Sequence, residues 1–202
     1  MDRIDIYNEI KEVASFIDNK GWAERNAGNL SFRLDFEVDF NLIISKSGSR
    51  ARELSKNPQA NCCEIKHLQP HSENPSSELP THLLVHSLNR HGIRAIVHTH
   101  PTHLIAFSHK YHDYSKEKIN TMLNSIMPEV SMFIPNGIGV VELLPPGSNE
   151  LAKATLEEFK QHNIVIWKKH GCIAISETIW GAVEMIDIVD KASYICILGG
   201  LT

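Results

Sequence analysis

Residues 96–100 read Ile-Val-His-Thr-His, a β-branched run that ends in two histidines one residue apart. In an extended strand, side chains alternate faces, so His98 and His100 point one way and Thr99 the other. Two neutral imidazoles at that spacing can converge on one cation. A carboxylate, Glu78, lies upstream, and a third imidazole, His170, lies downstream beside Gly171 at an expected tight turn. Three histidines and a carboxylate suit zinc better than magnesium or calcium, which prefer oxygen ligands. Such a centre keeps its full positive charge and acts as a Lewis acid toward a carbonyl or alkoxide oxygen. Glu78 can fill the fourth position at rest and serve as a base beside the metal once substrate displaces it. The same acid also suits a helix start, where the helix dipole favours negative charge.

Other residues compete or contribute. The chain has 12 histidines, so chance pairs are expected. His82 and His86 stand four apart on a predicted helix, a spacing that serves either chelation or a buried helix face. His103, His109 and His112 read as surface residues. Three short motifs have the composition of an anion pocket. Residues 25–31 offer Asn26, Gly28 and Asn29; residues 45–49 offer Ser47 and Gly48; Ser76 and Ser77 stand directly before Glu78. Glycine permits close backbone approach, and amide and hydroxyl groups donate to phosphate oxygens. Each motif alone is also an ordinary turn; their interest lies in meeting the histidine cluster.

The elements that must position these residues follow from periodicity and punctuation. Ile6, Ile10, Val13, Phe16 and Ile17 predict a helix over 3–19, stopped by Gly21. Strands are expected at 29–34 and 40–45, joined by a short acidic turn, and at 61–68. The stretch from Ser45 to Pro58 reads as polar and turn-rich, and 70–78 as a loop with two prolines. Pro80 fits the first turn of a helix that Gly92 closes. A strand over 94–100 follows, then a short helix after Pro101 and another over 115–126. Residues 129–143 read as two short strands around Pro-Asn-Gly. Ser148 caps a helix over about 149–161. Residues 163–176 form two strands with His170-Gly171 at the turn, and the last helix runs from Thr178 toward Ile197. Hairpin-like strand pairs argue for an α/β domain with a mainly antiparallel sheet.

Composition bounds the function classes. The 202 residues suffice for one large domain with a substantial core, and no repeat or linker divides residues 1–202. A net charge of −4 without a basic run excludes nucleic acid and anionic membranes as expected partners. The first residues read as an amphipathic helix and not a signal peptide, and no apolar run approaches bilayer length. Cys62, Cys63, Cys172 and Cys196 show no repeated spacing and read as reduced thiols of a cytoplasmic protein.

Taken together, GWAERNAGNLSFRL, SKSGS, SSELPTH, IVHTHPTHLIA, FIPNGIG and the His-Gly pair at 170 resemble the class II, zinc-dependent sugar-phosphate aldolases of the aldolase/adducin fold. The motifs occur in family order over nearly the whole chain. The ERNAGNL form and the Pro-Thr-His after Glu78 favour the rhamnulose-phosphate branch over the fuculose-phosphate branch. The resemblance implies a three-layer α/β/α fold around a largely antiparallel sheet, and a homotetramer with sites between subunits. It implies His98, His100 and His170 as ligands of one zinc ion per subunit. Glu78 is then the resting ligand that swings away as acid/base. Asn29, Ser47, Gly48, Ser76 and Ser77 hold a substrate phosphate, with Asn26 lining the same pocket. Glu129, six residues before Pro135, matches an acid that reaches a neighbouring subunit's site; its other reading is an exposed strand-end charge. The implied reaction is cleavage of a ketose 1-phosphate, L-rhamnulose 1-phosphate for this branch, to dihydroxyacetone phosphate and L-lactaldehyde. Alternatives are L-fuculose 1-phosphate cleavage, sugar-phosphate epimerisation or dehydration on the same scaffold, zinc hydrolysis with Glu78 activating water, and a non-catalytic adducin-like binding module. The loops after Leu34 are small by family standards and no tail follows Thr202, a departure that bears on the aldehyde more than on the metal.

Overall fold

A computed structural model describes residues 2–34, 41–66, 74–88, 90 and 92–200. The expected acidic turn after Leu34, the ends of the strands expected at 40–45 and 61–68, and much of the 70–78 loop lie outside these residues. In chain order the elements are α1 (Arg3–Lys20), β1 (Asn29–Arg33), β2 (Leu42–Ser45), α2 (Ala51–Leu54), α3 (Pro58–Asn61), β3 (Cys62–Ile65), α4 (Leu79–Ser87), β4 (Ala95–Thr99), α5 (Thr102–Lys110), α6 (Lys116–Ile126), α7 (Pro128–Phe133), β5 (Gly139–Val141), α8 (Asn149–Phe159), β6 (Ile164–Trp167), β7 (Gly171–Ser176) and α9 (Ile179–Leu198). The strands form one seven-stranded sheet in the order β3-β2-β1-β4-β7-β6-β5. Every neighbouring pair is antiparallel except β5 and β6, which run parallel and are joined through α8.

Strand alternation divides the core into the two faces of an α/β/α sandwich. Leu30, Phe32, Ile43, Ala95, Val97, Cys172 and Ala174 point into a cluster with α1, α5 and α9. Ile96, Val165, Trp167, Ile173 and Ile175 point the other way, onto Val85 of α4 and Leu151 and Phe159 of α8. Leu42, Ile44, Cys63 and Ile65 continue that second face beneath Leu79 and Leu83 of α4. Cys62 and Cys63 therefore face opposite layers, and all four cysteines are buried free thiols.

The helix starts follow their local chemistry. Ser148 accepts a hydrogen bond from the Leu151 amide, and Thr178 accepts one from the Gly181 amide. Pro80 lies in the first turn of α4, where its missing N–H costs nothing. Two expectations need correction. The polar stretch after Ser45 contains the short helices α2 and α3 and is not wholly irregular. Pro128 starts a six-residue helix, α7, where a strand was expected from Val130, Met132 and Phe133. None of the described helices is long and apolar enough to cross a membrane.

Candidate active site

The register of β1, β4 and β7 assembles the site. Asn29 lies directly opposite His98, and Thr99 lies opposite Cys172 beside the β6–β7 turn that carries His170. His98 and His100 share a face as their spacing required, and one ligand atom from each of His98, His100 and His170 lies within 4.8 Å of the others. Two glycines permit this convergence. A Cβ on Gly28, which has φ +78°, would come within 2.8 Å of the His98 carbonyl oxygen. A Cβ on Gly171 would meet the Thr99 carbonyl at 2.5 Å and the His100 ring at 3.0 Å.

The non-glycine residues with left-handed backbone, among those described, are Arg25, Asn74 and Lys169. Each precedes a segment of the site: Asn26–Asn29, Ser76–Glu78 and His170. Such conformations cost about 1–3 kcal/mol each and persist where surrounding structure enforces them. Asparagine tolerates this region, so the strain falls on the two loops entered through Arg25 and Lys169.

The histidine nitrogens are arranged to receive a cation. His98 Nδ1 donates to the Cys172 carbonyl at 2.8 Å, which leaves a lone pair on Nε2. His100 Nδ1 lies 2.8 Å from Glu24 Oε1, so its Nε2 likewise carries a lone pair in the neutral ring. The two Nε2 atoms face each other at 3.1 Å. Two lone pairs that close repel unless a positive charge sits between or beside them. Burial presses His98 far toward the neutral form, with His100 and His170 adding to that effect. Burial also lowers His170 to about 4, and its Nδ1 is buried without a hydrogen-bond partner. A proton is thus disfavoured here, whereas a metal ion fits. Nitrogens about 2.0–2.1 Å from a tetrahedral zinc lie roughly 3.3 Å apart, close to the observed facing pair. Trp167 stacks on the His170 ring, with centroids 5.2 Å apart, and closes the dry side of the cluster.

Glu78 lies beside the triad but turns away from it. Its Oε1 accepts from the Gly147 amide at 2.8 Å and its Oε2 from the Thr81 hydroxyl at 3.4 Å. It stands at the N-cap position of α4 without capping the helix through its side chain. Burial raises its pKa, opposed by those two donors and by His100, so the protonated acid is more accessible than for a solvated glutamate.

One cleft of about 150 Å³ is lined by Asn26, Gly28, Asn29, Ser47, Gly48, Ser76, Ser77, Glu78, His98, His100 and His170. Ser76 sits just ahead of α4, where free amides and the helix dipole favour an anion. Glu129 is not among the cleft residues; it is exposed in the first turn of α7, a helix start and not a strand end. His82 and His86 form no chelating pair: both nitrogens that face Ser31 are hydrogen-bonded to its hydroxyl. His103 is only half on the surface, bonded to the buried Asp190. Sequence reasoning missed Glu24 and Gly147. Glu24 lies 76 positions from its partner His100, and Gly147 acts through a backbone amide that no side-chain motif marks.

The chain matches, over residues 8–197, the family described as class II aldolase and adducin N-terminal domain. It belongs to that family. Rhamnulose-1-phosphate aldolase of Bacteroides thetaiotaomicron is 31% identical to it, over 94% of this chain and 84% of that protein. A sugar-phosphate aldolase from Thermotoga maritima superposes with a TM-score of 0.84 at 30% identity, covering 98% of this chain and 97% of that one. L-fuculose-1-phosphate aldolase from Thermus thermophilus shares the fold, with a TM-score of 0.78 at 22% identity and coverage of 98% and 96%. The class II aldolase fold thus accounts for a metal-capable histidine triad where the end of β4 meets the β6–β7 turn in this chain.

Proposed function

We propose that this class II aldolase-family chain is a zinc-dependent lyase. It would cleave L-rhamnulose 1-phosphate to dihydroxyacetone phosphate and L-lactaldehyde, with residues 1–202 acting as one unit. The observation that carries the reading is the meeting of triad, acid and anion-binding groups in one cleft. His98, His100 and His170 would hold the zinc ion. The bound ion supplies Lewis acidity toward the sugar oxygens and offsets the negative charge that develops when the C3–C4 bond breaks.

The side chains and amides of Asn29, Ser47, Gly48, Ser76 and Ser77 would grip the phosphate, with Asn26 beside them. Anchoring one end of the sugar aligns the scissile bond with the triad, an orientation effect. As the C3–C4 bond breaks, the C4 hydroxyl would give up its proton to water and become the aldehyde carbonyl, and the bond's electron pair would pass into the three-carbon enediolate. Glu78, having left the Gly147 amide as the protonated acid, would deliver its proton to C3, and in the condensation direction it would take that proton back. Burial favours its protonated form more than solvent would, which suits a group that must carry a proton to carbon. Glu129 would serve the cleft of a neighbouring copy in a homotetramer, a reading supported by its exposure and by its place six residues before Pro135.

The test is release of dihydroxyacetone phosphate from L-rhamnulose 1-phosphate and L-fuculose 1-phosphate by the zinc-loaded chain. Faster release from the rhamnulose ester is expected. Preference for the fuculose ester would reassign the substrate, and epimerisation or dehydration without cleavage would overturn the aldolase reading.

A further inference from the structure

Behind Asn29, beneath the cleft, lies a buried polar assembly of Ser31, His82 and His86. Asn29 Oδ1 is 2.6 Å from His82 Nε2. His82 Nδ1 is 2.7 Å from Ser31 Oγ, and the same oxygen is 2.8 Å from His86 Nε2. Ser31, His82 and His86 are buried between β1 and α4. Chemistry orders the protons along this chain. An amide oxygen can only accept, so His82 Nε2 carries the hydrogen and Nδ1 the lone pair. Ser31 then donates its one O–H to His82 and accepts from the N–H of His86. Every bond points the same way, from His86 toward Asn29. Burial lowers the pKa of His82 to about 3 and that of His86 well below the ordinary range, which keeps both rings neutral.

We propose that His82 is a positioning residue for anion recognition: it locks the Asn29 carboxamide with its oxygen inward, so that its NH₂ is the group presented to the cleft. A free asparagine amide can turn either end outward, and an oxygen turned toward a phosphate would repel it. The inference rests on the reading of Asn29 as a phosphate ligand and deepens it. The competing account is that the assembly only fastens α4 to β1.

Inorganic phosphate binding to the metal-loaded chain separates these cases, together with KM and kcat for the ketose 1-phosphate. His82→Phe fills the ring's space but cannot hold Asn29. It should weaken phosphate binding and raise KM about tenfold, the scale of one hydrogen bond to a charged group. It should change kcat less than about threefold and leave bound metal unchanged by elemental analysis. Asn29→Ala should cost about as much, and the double variant no more than Asn29→Ala alone. Ser31→Ala, which removes a single oxygen, should show a smaller loss in the same direction, and it carries the test if His82→Phe does not fold. Parental phosphate affinity in the folded variant, with only a lowered melting temperature, overturns the proposal in favour of a purely structural role. So do losses that multiply in the double variant. If Asn29→Ala itself binds phosphate like the parent, it is the anion-pocket reading that fails, and this inference with it.

Discussion

The two faces of β1 are buried to the same depth by different means. Leu30 and Phe32, at 2% and 1% exposure, sink among the apolar side chains of α1, α9 and their neighbours. Ser31 and Arg33, at 0% and 6%, point to the opposite layer and lie against α4. An apolar face needs only to be filled, and many packings of similar volume will do. A polar face under the same burial must be satisfied atom by atom, because each unpaired group costs about 1–3 kcal/mol. Ser31 meets two histidines and Arg33 meets the His86 carbonyl. The polar face thereby fixes directions as well as positions, and it is the face that continues through Asn29 and His98 into the cleft. In β1, one side supplies stability and the other supplies aim.

If that division holds, damage on the aiming face should abolish chemistry while the fold survives. The largest effect is expected for His98→Ala. Loss of one of three ligands should empty the metal site by elemental analysis and reduce cleavage by at least about three orders of magnitude, since charge stabilisation is lost. Circular dichroism should remain that of the parent. Retention of a full equivalent of metal would refute the assigned ligand set.

Next comes Glu78→Gln. Glutamine keeps an acceptor for the Gly147 amide but cannot exchange a proton, so metal stays and cleavage drops by about two to four orders of magnitude. The same variant should raise the melting temperature of the metal-free chain above neutral pH. Burial raises the folded pKa of Glu78, so ionising it opposes folding as pH rises, and glutamine removes that cost. Full activity in this variant would remove Glu78 from the mechanism.

On the packing face the pattern should reverse. Phe32→Ala should destabilise the fold by about 3–5 kcal/mol through its cavity, read as a lower urea midpoint. Below that midpoint, kcat per folded molecule and metal content should stay within about twofold. A large drop in kcat without loss of fold would show that the two faces are mechanically coupled.

How far this division could be read from the residues alone differs element by element. The shared face of His98 and His100 follows from strand parity, which burial cannot change. The apolar helix positions of α1, the cap Ser148 and the start of the last helix at Thr178 are local signals and appear where expected. What escapes the sequence is whatever depends on a partner far along the chain. Asn-Leu-Ser-Phe-Arg in β1 has the alternation of a strand with one wet face, yet α4 covers that face and supplies the polar partners. His82 and His86 have the spacing of a chelating pair, and only the arrival of Ser31 between them decides otherwise. For α7, the β-formers Val130 and Phe133 outweigh the helix-starting Pro128 in a local reading. Packing against α6 and α9 reverses that balance. Glu24, finally, is one exposed acid among 24 acidic residues until the fold brings it to His100.

The gentlest test of the comparison is pH. Leu30 and Phe32 carry no titrating group, whereas the face that meets α4 holds the buried histidines His82 and His86. His82 has a folded pKa of about 3, against an ordinary value near 6.5. As pH falls, the unfolded chain takes up this proton first and gains stability relative to the folded one. The contribution of neutral His82 is therefore whole above about pH 6.5 and is lost progressively on acidification toward its folded pKa, at about 1.4 kcal/mol per pH unit at most. His86, His98 and His170, lowered first of all by burial, act in the same sense in the metal-free chain, whereas Glu78 acts in the opposite one. The urea midpoint of the metal-free chain should hence fall steadily from pH 7 to pH 4. Phe32→Ala should shift that curve downward without changing its slope, because it removes packing and no titrating group. A profile that is flat from pH 7 to pH 4 would mean that burial holds neither the histidines beneath α4 nor those of the triad in the neutral form, and the division between a packed face and an aiming face would fail at its foundation.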